Sequence, residues 1–225
     1  MQANIKTWTT TQAEEDAMND DHDYLWRQMI SYIQERHLGS RDVLDFGCNQ
    51  GGFLRTLYDQ KPFREGVGVD IALDSLAVAR QRAGRRPLVY DSVAALSNMA
   101  ERFDLAFSHE VLYLVDDLDA HAEAIKCALK PGGVYYAAIG CHTENPQWPR
   151  WMEMISAYSH VPVQNYSLND YADAFFNGGF SVSARPYRYH GFVPLKPAND
   201  YFPNVADSLE YHDSVKTLFR FVKGQ

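Results

Sequence analysis

The sequence predicts an α/β fold with a mostly parallel sheet, and three observations carry that expectation. Strand-length apolar runs alternate with helix-period segments from Arg41 to Gly140. Two of the runs, Phe103 to Ser108 and Val134 to Ile139, are apolar enough to suit buried or central strands. The chain has 225 residues, 46% of them apolar, enough to bury the core of one large domain.

Each element has its own signal. Asp21 to His37 carries Leu25, Met29, Tyr32 and Ile33 at helical spacing, with acids at its start and Gly39 beyond its end. A strand follows at Asp42–Phe46, a helix from about Gly52 to Gln60, a strand at Gly66–Asp70 and a helix from about Leu73 to Ala83. Pro87–Tyr90 reads as a short strand and Phe103–Ser108 as a buried one. After a helix at about Asp119 to Leu129, the turn LKPGG leads into Val134–Ile139. Such alternation builds parallel strands joined by right-handed crossovers. The pattern then changes: Cys141 to Tyr166 is rich in Trp, Pro and His, with one helical piece near Trp151 to Ser159. Ser167 and Asp170 form a capping box for a helix to Asn177, closed by Gly178–Gly179. Strands at about Phe180–Tyr189 and Val215–Lys223 finish the chain, joined by a polar, aromatic connection from Pro194 to Asp213. No repeat or linker divides the sequence, so one domain is expected.

Composition narrows the function. A formal net charge of -8 argues against a nucleic-acid partner, because phosphate-tracking proteins need a basic field. The densest basic run, Arg80 to Arg86, reads as a solvated helix end before Pro87. Neither a signal-peptide core nor a bilayer-length apolar run is present, so a soluble, cytoplasmic protein without a membrane partner is expected. Three scattered cysteines, Cys48, Cys127 and Cys141, suit neither a disulfide framework nor a metal knuckle, and no metal is expected.

The stretch VLDFGCNQGGFL, Val43 to Leu54, holds the most chemistry. It places an acid at the end of a strand and glycines in the turn into a helix, where an open α/β sheet binds its ligand. A phosphate-binding loop would end in a cation, yet no Lys or Arg occurs from Asp42 to Leu54, which disfavours ATP and GTP. The turn Gly47-Cys48-Asn49-Gln50-Gly51-Gly52 also departs from Gly-x-Gly-x-x-Gly, and Asp45 would repel a pyrophosphate, which disfavours NAD. A ligand with both signs of charge and no phosphate fits better: the acid meets its cations and the helix N-terminus its carboxylate.

VLDFGCNQGGFL resembles the first motif of class I S-adenosylmethionine-dependent methyltransferases, Asp-x-Gly-x-Gly-x-Gly, with Asp45, Gly47 and Gly51 matching. Asn49 stands where the motif has Gly, and Asn is a good substitute at positive φ. Four more segments are similar to the family in order. In GVGVDIALDSLAVAR, Asp70 takes the place of the acid that holds the ribose hydroxyls, with Ile71 beside it; in VYDSVAAL, Asp91 and Ser92 fall where members contact adenine. RFDLAFSHEVLYLV resembles the fourth strand and its loop, and ALKPGGVYY the turn into the fifth.

The resemblance implies a Rossmann-like, seven-stranded sheet, mostly parallel with an antiparallel C-terminal strand and helices on both faces. It divides a single methyltransferase domain, 1–225, into an N-terminal lid and helix (1–40), a cofactor-binding core (41–140), an acceptor-site insertion (141–166) and a C-terminal helix with closing strands (167–225). It implies S-adenosyl-L-methionine as cofactor and S-adenosyl-L-homocysteine as product. The implied cofactor-binding residues are Asp45, Gly47, Cys48, Asn49, Gly51, Asp70, Ile71, Asp91, Ser92 and Ser108. The Asn/Asp-Pro-Pro-Tyr motif of members that methylate nucleic acids or amides is replaced by Ser108-His109-Glu110-Val111, which points to a small-molecule acceptor. His109, at the ligand-facing end of its strand, is the first candidate for a catalytic role, and His142 a second one lining the acceptor site. Aromatic residues of the lid and insertion, including Trp8, Tyr24, Trp26, Trp148, Trp151, Tyr158 and Tyr166, suit a pocket wall or its packing. A monomer or homodimer is expected. Two other readings stay open: a protein that binds the cofactor without turnover, and a nicotinamide-dependent oxidoreductase.

Overall fold

The computed structural model describes residues 4–9, 11–195 and 201–224. Its elements are α1 (Gln12–Tyr32), β1 (Asp42–Phe46), α2 (Gly52–Gln60), β2 (Glu65–Asp70), α3 (Leu73–Arg82), β3 (Leu88–Ser92), β4 (Phe103–His109), α4 (Leu118–Ala128), β5 (Leu129–Ile139), α5 (Trp148–Tyr158), α6 (Leu168–Asn177), β6 (Phe180–Pro186), α7 (Val205–Glu210) and β7 (Thr217–Lys223). They build one seven-stranded sheet in the order β3-β2-β1-β4-β5-β7-β6. The pairs from β3 to β5 are parallel, and β7 runs antiparallel to both β5 and β6. The reversal of strand order between β1 and β4 opens a crevice at the carboxyl ends of these strands.

Strand alternation sorts the core into two layers. Val43, Leu105, Phe107 and Tyr136 pack with Met29, Phe53 and Leu76 of α1, α2 and α3. Their neighbours Leu44, Ala106 and Tyr135 point the other way, toward Ile125 of α4 and Phe175 of α6. Helices therefore cover both faces, as expected.

Three departures from the sequence reading matter for the site. The first helix begins at Gln12, not Asp21, because Thr11 and Glu14 form a capping box upstream of the acids that look like a first turn. It also stops at Tyr32, well before Gly39, where Ile33 turns extended. The run from Pro194 to Asp213 is not all irregular: Asn204 caps α7, and a π-turn at Tyr211–Val215 follows. Residues 196–200 of that run lie outside the described residues. The strand expected at Phe180–Tyr189 ends at Pro186.

The capping box of α6 forms as expected, with Ser167 Oγ accepting from Asp170 N–H and Asp170 Oδ2 accepting from Ser167 N–H. The basic run is neutralised piecewise. Arg80 donates to the Tyr90 carbonyl, Arg82 to Gln50 and Asp16, and Arg86 to both oxygens of Asp59. No helix among the described residues is long and apolar enough to cross a membrane.

Candidate active site

The turn after β1 is shaped by backbone contacts. Gly47 (φ 76°) and Cys48 both donate to the Val69 carbonyl, at 2.8 and 3.1 Å, so the turn is tied to the end of β2. Asn49 takes φ 45°, the left-handed conformation expected of it, and its Oδ1 accepts from Gln50 N–H at 2.7 Å. Its own N–H donates to Asp70 Oδ2 at 2.7 Å, while Asp70 Oδ1 accepts from Ala72 N–H at 2.8 Å. Gly51 (φ 70°) has no room for a side chain: a Cβ would sit 2.3 Å from the Tyr90 hydroxyl. Gly51→Ala is therefore expected to destabilise the protein by about 1–3 kcal/mol through overpacking and strain, measurable as a lowered urea midpoint.

The acids at this end of the sheet are buried and close to one another. Asp45 is buried, and its Oδ2 has no hydrogen-bond partner. Burial raises its carboxyl well above the ordinary carboxylate range, and the nearby Asp70 adds to the rise. Burial also raises Asp70, opposed by the amides of Ala72 and Asn49. The Cys48 thiol is buried and pushed up.

A cavity of about 1220 Å³ runs from this turn to the far side of the sheet's rim. Asp45, Gly47, Cys48, Asn49, Asp70, Ile71 and His109 all line it. Gly51, Asp91, Ser92, Ser108 and His142 do not. Gly51 instead shapes the turn from behind. Asp91 bonds the N–H of Ser92 at 2.7 Å, and the residues reaching the cavity there are Val93, Leu96 and Ser97 just beyond. Ser108 points to the α4/α6 face, where its Oγ accepts from Tyr135 at 2.7 Å, because its neighbour His109 takes the other face. His142 is buried between the Val215 carbonyl (3.1 Å) and Glu144 (3.2 Å), and so fastens the insertion to the segment before β7.

At the other end the cavity is an aromatic chamber. Trp8, Tyr113, Trp151, Tyr158, Tyr201, Phe202 and Tyr211 line it, and Trp148 packs behind them. Trp8 is held in place by its backbone N–H, which donates to the buried Glu15 side chain; Glu15 also accepts from Ser75. Tyr24 lines the cavity from α1 and donates to His212 Nε2 at 2.9 Å. Tyr166 stays outside, its hydroxyl on the Val115 and Asp116 carbonyls.

Between the two ends sits a polar cluster that sequence reasoning resolved only as His109. Glu110, at φ 55°, pairs with the buried Lys216 at 2.6 Å and accepts from Gly140 N–H and the Tyr211 hydroxyl. Burial pushes the Glu110 carboxyl up, but Lys216 and these bonds outweigh it and hold the carboxyl below its usual value. Lys216 Nζ also donates to His109 Nε2 at 3.1 Å. His22, from α1, meets His109 edge to face, with ring centroids 5.5 Å apart. The early start of α1 brings His22 into mid-helix; its only trace in sequence is the Thr11–Glu14 capping box.

The strand order, the glycine turn after β1 and the acid closing β2 match the Rossmann-like fold of S-adenosylmethionine-dependent methyltransferases. Residues 44–137 match the family model described as a methyltransferase domain. Among curated relatives, the ubiquinone biosynthesis O-methyltransferase of Bartonella tribocorum is 33% identical over 116 residues, 48% of this chain and 43% of that protein. The malonyl-[acyl-carrier protein] O-methyltransferase of Legionella pneumophila is 25% identical over 138 residues, 60% of this chain and 48% of that protein. The chain thus spans about half the length of the curated relatives it matches. Among solved structures, a complex of the Haloferax volcanii Trm112 methyltransferase activator with a methyltransferase shares the fold, with a TM-score of 0.81, 22% identity and 95% coverage of both chains. A geranyl diphosphate methyltransferase bound to GPP and sinefungin matches with a TM-score of 0.67 and 14% identity, over 88% of this chain and 76% of that one.

Proposed function

We propose that the protein transfers the methyl group of S-adenosylmethionine to a small, largely apolar acceptor. The observation that carries this reading is one cavity with two unlike ends: an acid-lined glycine turn and an aromatic chamber. The residues present fit the cofactor. Asp45 offers an unpartnered buried carboxylate oxygen for a cationic group, Asp70 a carboxylate at the strand end where hydroxyls can donate, and the Gly47 to Gly51 turn a close backbone approach. The absence of Lys and Arg from Asp42 to Leu54 disfavours a diphosphate there. Once bound, the cofactor supplies an electrophilic methyl on sulfur; the chain's task is to hold the acceptor in line and exclude water.

The character of the acceptor follows from the walls. Among the described residues of the lining, Lys216 is the one Lys or Arg side chain, and Glu110 neutralises it. A carboxylate or phosphate acceptor would meet no free cation among these described residues. That sets this chamber apart from what a diphosphate acceptor needs, and the O-methyltransferase names of the curated relatives favour an oxygen acceptor. The residues that close the chamber come from the lid (Trp8), the loop after β4 (Tyr113), the insertion (Trp151, Tyr158) and the segment between β6 and β7 (Tyr201, Phe202, Tyr211), which we assign to acceptor binding.

Two measurements test the cofactor reading. In a thermal-shift series, S-adenosylmethionine and S-adenosylhomocysteine are expected to raise the melting temperature while NAD does not, because only a ligand selective for the folded state stabilises it. Stabilisation by NAD alone would favour an oxidoreductase. Calorimetry of S-adenosylmethionine in buffers of different ionisation enthalpy is expected to show proton release. The sign follows from Asp45: burial holds its carboxyl high in the free protein, and a bound cation lowers it, so affinity rises with pH across that interval. Proton uptake on binding would contradict the assignment of Asp45.

A further inference from the structure

We propose that His22 on α1 is the base that accepts the proton of the methyl acceptor, and that this acceptor is an uncharged molecule presenting an ionisable hydroxyl of phenol or enol type. The inference rests on the methyl-transfer reading above and deepens it.

The hydrogen-bond partners of the two facing imidazoles assign their tautomers. His22 Nδ1 lies 2.6 Å from the Met18 carbonyl, which can only accept, so Nδ1 carries the proton and the lone pair is on Nε2. Among the described residues that Nε2 has no protein partner, and His22 lines the cavity. His109 is the reverse case. Its Nε2 faces the Lys216 ammonium, which can only donate, so its lone pair is already engaged. The remaining Nδ1–H is buried without an acceptor, and such a group gains when an oxygen atom reaches it. The position first singled out as a base therefore has no free lone pair, whereas the helix laid over it does.

Burial, more than the surrounding charges, favours the neutral, basic form of His22. Burial lowers its imidazole below the ordinary value, the Met18 carbonyl opposes that shift, Lys216 reinforces it, and Glu110 and Asp21 oppose it. His109, facing it from β4, is held well below its ordinary value by burial, by Lys216 and by His22. Both rings are then neutral at pH 7, one offering a lone pair and the other an N–H. The walls beyond them, Trp8, Tyr113, Trp151, Tyr158, Phe202 and Tyr211, suit a planar apolar body better than a charged one.

The step balances as follows. The acceptor O–H gives its proton to His22 Nε2 as the new C–O bond forms; the methyl–sulfur bond breaks and its electron pair stays on sulfur. The imidazolium then releases the proton to water. No oxidant or further reactant is required.

The test uses the full chain loaded with S-adenosylhomocysteine and 4-nitrophenol as probe, because the phenolate absorbs in the visible and the phenol does not. Wild-type protein is expected to bind the probe and increase its phenolate band at a pH where free probe is largely protonated. His22→Asn is expected to bind S-adenosylhomocysteine with unchanged affinity and to lose the increase. With S-adenosylmethionine, methylation of the probe by His22→Asn is expected to fall roughly 100-fold, with loss of the acidic limb of the pH profile. A phenolate band that persists in His22→Asn, or a probe that does not bind protein already stabilised by S-adenosylhomocysteine, would overturn the proposal. Failure of S-adenosylhomocysteine to bind wild type would instead overturn the methyl-transfer reading itself. Should the variant not fold, nitrogen-15 NMR of wild-type imidazoles decides: a neutral, Nδ1-protonated His22 is expected, and an Nε2-protonated ring contradicts the proposal.

Discussion

Lys216→Met is expected to destabilise the protein by about 3–5 kcal/mol, the cost of leaving one member of a buried ion pair uncompensated. Lys216 is 1% exposed and reaches Glu110 at 2.6 Å, beneath the cavity where water has little access. Its loss strands a carboxylate that is otherwise kept ionised against burial. The double variant Lys216→Met/Glu110→Gln is expected to recover most of the loss, because it removes both charges together. The pH dependence has a definite sign. The folded-state carboxyl of Glu110 lies below its ordinary value, so the stability it contributes is present above the unfolded carboxylate range and fades as pH falls through the folded value. The gap between wild type and Lys216→Met therefore narrows in acid, as denaturant titrations at several pH values will read. A constant gap would mean that Lys216 stabilises through its cation–π contacts with the Tyr187 and Tyr211 rings rather than through Glu110.

Asp70→Ala is expected to abolish measurable stabilisation by S-adenosylhomocysteine, a loss of affinity of at least about 100-fold. Two effects combine. The variant removes the acceptor that holds the Asn49 and Ala72 amides, loosening the turn from the end of β2. It also removes the carboxylate assigned to the ribose hydroxyls. Calorimetry separates the two when Asp70→Asn is added: its side-chain oxygen still accepts from one amide, so it is expected to fold like wild type and bind more weakly. Wild-type affinity in Asp70→Ala would take Asp70 out of the site.

The two halves of the site were unequally legible in the sequence. The cofactor end is written in contiguous residues. Asp45 lies at the end of β1 and Gly47, Asn49 and Gly51 in the turn after it, and the positive φ of Asn49 follows from the residue's own chemistry. Its partner Asp70 ends a strand that alternation alone locates. The acceptor end is assembled from distant segments: His22 from α1, His109 from the end of β4 and Glu110 just after it, Tyr211 and Lys216 from the turn before β7. No local pattern links them. Lys216 lies at the head of the strand expected at Val215–Lys223, but only the antiparallel docking of β7 against β5 carries it under the sheet's rim. Ser108 and His109 show the limit from another side. The end of β4 was visible, but which of two neighbours faces the cavity depends on the register of the whole strand, and that is set by packing against Tyr135 and α4.

The central claim is that the β1 turn and the end of β2 hold the nucleoside and place its sulfur toward the aromatic chamber. A crystal structure of the protein grown with S-adenosylhomocysteine tests this most directly. Density is expected along the cavity, with the ribose on Asp70, the amino-acid moiety near Asp45 and Gly47, and the sulfur directed at His22 and His109. Density for the nucleoside elsewhere on the molecule, or a sulfur facing away from the chamber, would contradict this placement.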